Sequence, residues 1–158
     1  MRTLKNIPFD ELAIGTKGEL TRTLHEEDLL LFARMSGDTN PIHLDNEFAK
    51  TTPYQERIAH GMWTASLISC ALATKMPGPG GIYIGQQLKF MRPVKLGDTV
   101  TVKLEVSAKN EKLKRATIST TVVNQLGKIV VKGSAEVKPS QETLNINEFP
   151  LPEIDFIS

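Results

Sequence analysis

An aspartate and a histidine stand five residues apart in Ser36-Gly37-Asp38-Thr39-Asn40-Pro41-Ile42-His43, a spacing that lets a carboxylate and an imidazole converge on one point. Such a pair can act as general base and general acid near neutral pH, where an imidazole changes charge. Pro41 fixes its own backbone angle and biases Asn40 toward extended geometry, so the loop can turn without being floppy. The same residues also suit an Asx-type turn, in which Asp38 and Asn40 cap backbone amides and His43 is incidental. Residue types and spacing leave both readings open. A second candidate is His60-Gly61, where a long apolar helix begins. The leading amides of a helix are unpaired and lie at the positive end of its dipole, and a glycine lets a ligand oxygen come close. Gly61 N–H is therefore a candidate oxyanion donor. A plain glycine helix start is the alternative.

The other reactive side chains offer less. His25 sits beside Glu26 and Glu27 in the first turn of an expected helix and is read as a solvated side chain. The single cysteine, Cys70, lies in Ser66-Leu67-Ile68-Ser69-Cys70-Ala71-Leu72 and is expected to be a small buried residue without a disulfide or nucleophilic role. With no HxH, HxxxH or cysteine pair, the spacing offers no metal site.

These residues need a scaffold, and the composition supports one. The chain has 158 residues, 40% of them hydrophobic and 23% charged, which is enough for one soluble core without staples. Lys and Arg number 19 against 18 Asp and Glu, with no dense basic stretch, so nucleic acid is not an expected partner. The first fifteen residues lack the apolar core of a signal peptide, and no run of 18 apolar residues occurs. A cytoplasmic protein without a membrane span is the expectation.

The front half has helical patterning. Thr23 followed by Glu26 has the form of a capping box opening a helix from about Leu24 to Met35, with Leu29, Leu30, Phe32 and Ala33 facing the core. A short helix follows at about Asn46 to Thr51. Gly61 to Lys75 carries no charge before Lys75 and is expected to be a helix buried all round. Met76-Pro77-Gly78-Pro79-Gly80-Gly81 then marks a turn and not a cofactor loop. Four strands are expected behind it, at Ile82 to Phe90, Thr99 to Ala108, Ala116 to Asn124 and Lys128 to Val137. Clean alternation such as Val100/Val102/Leu104/Val106 predicts one inward face on each. Short links make the last three an antiparallel meander. With a further strand near Thr16 to Leu24, the economical arrangement is an α+β fold, an antiparallel sheet curled around the central helix. The tail from Leu144 to Ser158, acidic with two prolines, is expected to be an irregular surface arm beyond a single domain at 1–143.

Phe32, then Ser36-Gly37-Asp38-Thr39-Asn40-Pro41-Ile42-His43, then Ala49, resembles the hydratase 2 motif of the MaoC-like dehydratases, which include the (R)-specific enoyl-CoA hydratases. Met35 departs from the Leu, Val, Ile or Gly usual there, a change that conserves volume. The similarity continues through Arg57-Ile58-Ala59-His60-Gly61-Met62 and Phe90-Met91-Arg92-Pro93-Val94-Lys95-Leu96-Gly97-Asp98, covering roughly Thr16 to Val137. The resemblance implies a hot-dog fold in a homodimer, with the acyl pocket near the subunit interface. It also implies Asp38 and His43 as the catalytic pair, the Gly61 amide in the oxyanion hole, Asn40 and Ser69 in supporting positions, an acyl-CoA thioester substrate and no cofactor. The implied reaction is hydration of trans-2-enoyl-CoA to (R)-3-hydroxyacyl-CoA in fatty-acid or polyhydroxyalkanoate-precursor metabolism.

Three rival readings stand beside it. A hot-dog thioesterase commonly carries an acidic residue on the central helix, and Gly61 to Lys75 has none. Dehydration of an (R)-3-hydroxyacyl-acyl carrier protein would use the same residues in reverse, with Arg57, Lys89 and Arg92 able to serve either carrier. A non-catalytic acyl-binding subunit of a heteromeric dehydratase would be expected to have lost the Asp/His pair, which is retained here.

Overall fold

A computed structural model describes residues 2–155; the last three residues of the expected arm lie outside the described residues. The strands are β1 (Thr3–Lys5), β2 (Lys17–Thr23), β3 (Ile82–Phe90), β4 (Thr99–Asn110), β5 (Arg115–Val123), β6 (Ile129–Lys138) and β7 (Asn145–Asn147). The helices are α1 (Glu26–Ser36), α2 (Pro41–Leu44), α3 (Asn46–Lys50) and α4 (Gly61–Thr74).

Five strands form one antiparallel sheet in the order β2-β4-β5-β6-β3, and the β4-β5-β6 meander is the one the short links predicted. Alternation decides its faces: Val100, Val102, Leu104 and Val106 of β4 and Ile118, Thr120 and Val122 of β5 are buried. Register shifts between Val106 and Ala108, between Tyr83 and Gly85, and between Val122 and Val123 bend the strands, as bulges do. The curled face receives α4, whose Trp63, Leu67, Ile68, Ala71 and Leu72 join the strand residues in one apolar cluster.

Several expectations need correction. The first helix begins two residues later than the Thr23/Glu26 pair implied. Thr23 ends β2, with its hydroxyl 2.7 Å from that of Thr99, and the N-cap is His25, whose amide donates to the Asp28 carboxylate at 2.9 Å. Competition from the sheet decided this, because Thr23 pairs across to β4 before the helix starts. Of the four residues assigned to its buried stripe, Leu29 and Ala33 are buried, Phe32 is partly buried and Leu30 is exposed.

The central helix is not buried all round. One side packs on the sheet, while Met62, Ser66, Ser69, Cys70 and Ala73 stay exposed on the other, so Cys70 is exposed and not buried. The edge strand β3 is likewise mostly exposed, including Ile82, Tyr83, Ile84 and Phe90. His43 lies in a one-turn helix and not in a loop. The tail is also less irregular than expected: β7 pairs with β1, and the Asn6 side chain donates to Glu142 O at 2.9 Å and accepts from Leu144 N at 2.7 Å.

Candidate functional site

The segment after α1 is built from local caps. Gly37, with φ of 77°, ends α1 in the left-handed conformation that glycine tolerates, and its N–H closes on Ala33 O at 2.8 Å. Asp38 N donates to the Ser36 hydroxyl at 3.2 Å, Asn40 N to Asp38 Oδ1 at 3.1 Å, and Ile42 N to Asn40 Oδ1 at 3.3 Å. Asn40 is thus the N-cap of α2, with Pro41 at the first helical position, where its missing N–H costs nothing.

The two readings of Asp38 are therefore not exclusive. Oδ1 closes the Asx turn, and Oδ2 lies 4.0 Å from His43 Nε2. His43 is buried while the Asp38 side chain is half exposed. The other ring nitrogen, Nδ1, lies 2.8 Å from Ile58 O. A carbonyl only accepts, so Nδ1 carries the proton and the neutral ring presents a bare Nε2 toward Asp38. Burial lowers the His43 pKa from its ordinary value, opposed by the Ile58 hydrogen bond and the Asp38 carboxylate and reinforced by His60. The neutral form needed to accept a proton is favoured by burial.

Gly61 opens α4, and a first-turn amide has no acceptor within its own helix. It shares a cleft of about 280 Å³ with His43, Thr64, Tyr54, Phe90 and Arg92. A Cβ on Gly61 would stand 3.0 Å from the Phe90 ring, so glycine keeps this wall of the cleft open. Asp38, Asn40, His43 and Gly61 are thus gathered in one region. Ser69 is not among them: it lies two helical turns along α4, lining a separate apolar cavity with Leu72, Ile82, Tyr83 and Val137. Arg57 is not at the cleft mouth either. It is buried, with its guanidinium 2.6 Å from Glu26 Oε1. Lys89 lines a different surface groove beside Lys132, and only Arg92 of the three reaches the cleft.

The sequence reading passed over the buried Thr64, and it singled out His60-Gly61 for the Gly61 amide without giving the His60 imidazole a role. His60 donates from Nε2 to Asp38 O at 3.1 Å and stacks on His43 with ring centroids 3.8 Å apart and planes 25° from parallel. Its only signal in the sequence is a polar residue entering an apolar helix. Asp38, His43 and His60 offer possible metal-ligand atoms within 4.8 Å of one another. Imidazole lone pairs lie in the ring plane, however, and two stacked, nearly parallel planes do not meet at the bond length of about 2.1 Å that a zinc ion needs. The arrangement fits a water held between a carboxylate and an imidazole better than it fits an ion.

Residues 11–128 match the family described as MaoC like domain. An (R)-specific enoyl-CoA hydratase of Rhodospirillum rubrum is 44% identical over 129 residues, which span 82% of this chain and 89% of the relative. Another (R)-specific enoyl-CoA hydratase, from Aeromonas caviae, is 43% identical over 80% of this chain and 95% of its own length. Among solved structures, the unliganded R-hydratase PhaJ1 of Pseudomonas aeruginosa superposes with a TM-score of 0.94 at 50% identity, covering 98% of this chain and 99% of that one. That match extends well into the C-terminal arm, for which the sequence resemblance offered no counterpart. With the curled antiparallel sheet, the central helix and the Asp38-to-His43 segment all in place, the chain belongs to the MaoC-like family and has its hot-dog fold.

Proposed function

We propose that this chain hydrates trans-2-enoyl-CoA to (R)-3-hydroxyacyl-CoA, and catalyses the reverse dehydration, as a cytoplasmic hydro-lyase acting as a homodimer or higher homo-oligomer. Asp38 and His43 are the reacting pair, Gly61 N–H the oxyanion donor and Asn40 a supporting residue, within a domain at 1–143 that carries the arm at 144–158; Ser69, which lines the separate cavity along α4, has no part in the steps below. The observation that carries this reading is the gap of 4.0 Å between Asp38 Oδ2 and His43 Nε2 beside the free amide of α4. The relatives named as hydratases support it.

A water molecule seated in that gap can hydrogen-bond to both groups at once. As its oxygen bonds to C3 of the conjugated thioester, one of the pair takes the released proton. The electrons of the double bond move toward the thioester oxygen, where the Gly61 amide and the α4 dipole stabilise the enolate. The same pair then delivers a proton to C2, closing the C2–H bond and returning to its starting charge. Dehydration runs the same steps backward. Asn40 holds Asp38 Oδ1 and starts the helix that presents His43, so it supports both.

Within the described residues no helix is long and apolar enough to cross a membrane. Oligomer formation would cover the exposed side of α4 and the free edge of β3, which the single chain leaves open.

The test is the loss of absorbance of crotonyl-CoA, chiral analysis of the product, and Asp38→Asn in parallel, with an enoyl-acyl carrier protein as second substrate. Production of the (R)-3-hydroxyacyl thioester by the wild type, with Asp38→Asn lowered about 10²- to 10⁴-fold in kcat, is expected from the loss of an acid–base group. Retention of more than a tenth of wild-type activity would remove Asp38 from its role. A wild type inert on both carriers would leave the acyl-binding subunit as the better reading.

A further inference from the structure

The segment bearing Asp38 is exposed from Arg34 to Pro41, yet its carboxylate must stay aligned with a buried imidazole. Its hydrogen bonds are almost all local: Gly37 to Ala33, Asp38 to Ser36, Asn40 to Asp38 and Ile42 to Asn40. Among the described residues, the one hydrogen bond that ties residues 37–40 to a distant part of the chain comes from His60, whose Nε2–H reaches Asp38 O across 22 positions at 3.1 Å. His60 is only 2% exposed, is held between the rings of Phe32 and His43, and leaves Nδ1 buried without a partner. A buried polar atom with no partner carries a free-energy cost that an apolar side chain of the same shape would avoid. Fold stability alone therefore does not account for an imidazole here.

We propose that His60 is a positioning residue: one N–H fixes the main chain of Asp38 while one ring face fixes the plane of His43, setting the separation of the reacting pair. This rests on the reading of Asp38 and His43 given above. A displacement of about 1 Å in such a pair can cost about 10²-fold in rate. His60→Phe keeps a ring in the stack and removes the donor to Asp38 O. His60→Gln removes the ring and keeps an N–H near the place of Nε2.

Steady-state kinetics and thermal unfolding of both variants, with Asp38→Asn as reference, test the proposal. The expected result is a His60→Phe enzyme with an unchanged or higher unfolding temperature, an unchanged KM and a kcat lowered about 10- to 100-fold. His60→Gln should recover part of that loss despite lower stability. A His60→Phe kcat equal to wild type, a His60→Gln no more active than His60→Phe, or a failure of either variant to fold overturns the positioning role. If instead Asp38→Asn turns over like the wild type, it is the underlying site reading that fails.

Discussion

The Asp38 carboxylate divides its two oxygens, Oδ1 on the Asn40 amide and Oδ2 toward His43, so the proposed chemistry falls to Oδ2. Asn at this position can still accept from Asn40 N–H, so Asp38→Asn should lose turnover with its circular dichroism and melting curve preserved. On the proposed mechanism the pH dependence belongs to His43. Burial depresses its pKa, so the neutral, proton-accepting form persists below the usual imidazole value of about 6.5. The acidic limb of kcat/KM should therefore fall at a pH below that value; a limb above it would contradict a neutral His43 as one of the reacting pair. The same shift has a stability consequence. Because the folded protein binds this proton less readily than the unfolded chain, the contribution of His43 is fully present above the unfolded pKa and is lost as pH falls through the folded one. Urea titrations at stepped pH would register that loss.

Two elements carry their own tests. Helix α1 starts from a reversed cap, in which Asp28 accepts from His25 N–H at 2.9 Å and also pairs with Arg22 at 2.9 Å. Asp28→Ala should cost about 1 to 2 kcal/mol by denaturant unfolding, in the range of lost caps. Thr23→Ala, at the position the sequence pattern favoured, should leave the start of the helix unchanged. The β3–β6 pairing depends on Gly133, where an added Cβ would run into the Gln87 carbonyl of the neighbouring strand. Backbone cannot yield as a flexible side chain can, so Gly133→Ala should destabilise by about 1 to 3 kcal/mol or more. Gly85, on the partner strand with nothing within 4 Å of its added Cβ, is the control: Gly85→Ala should be neutral or slightly stabilising.

At the scale of the whole molecule, the helix written as buried on every side is covered on one side only. Met62 is 60% exposed, and the neighbouring edge strand exposes Ile82, Tyr83 and Ile84. A free, apolar strand edge is a liability that a second copy of the chain can remove. Light scattering coupled to gel filtration should give at least twice the mass of one chain, and a charge at the edge, Ile84→Lys, should shift the distribution toward monomer. A wild-type monomer at micromolar concentration would refute the oligomeric reading. The termini contribute separately, since β1 and β7 join the two ends of the chain in a small ribbon.

What could be read from the sequence was local or periodic. The strands alternate with period two over long stretches, so their existence, extent and meander order were legible in Val100 to Val106 and Ile118 to Val122. The Asp38-to-His43 spacing marked out a candidate pair without deciding between a reacting pair and an Asx turn, and it was the family resemblance that gave the two residues a catalytic role. Competition between elements was not legible: Thr23 had the residue type of a cap, but the ladder with β4 claimed it first. Three-residue strands such as β1 and β7 carry too few residues to show a period. Nor does any spacing bring His60 to Asp38 and His43, because a hydrogen bond across 22 residues exists only once α4 is docked on its sheet. The apolar composition of α4 set how much surface must be covered, and the fold of the single chain decided which half it covers itself.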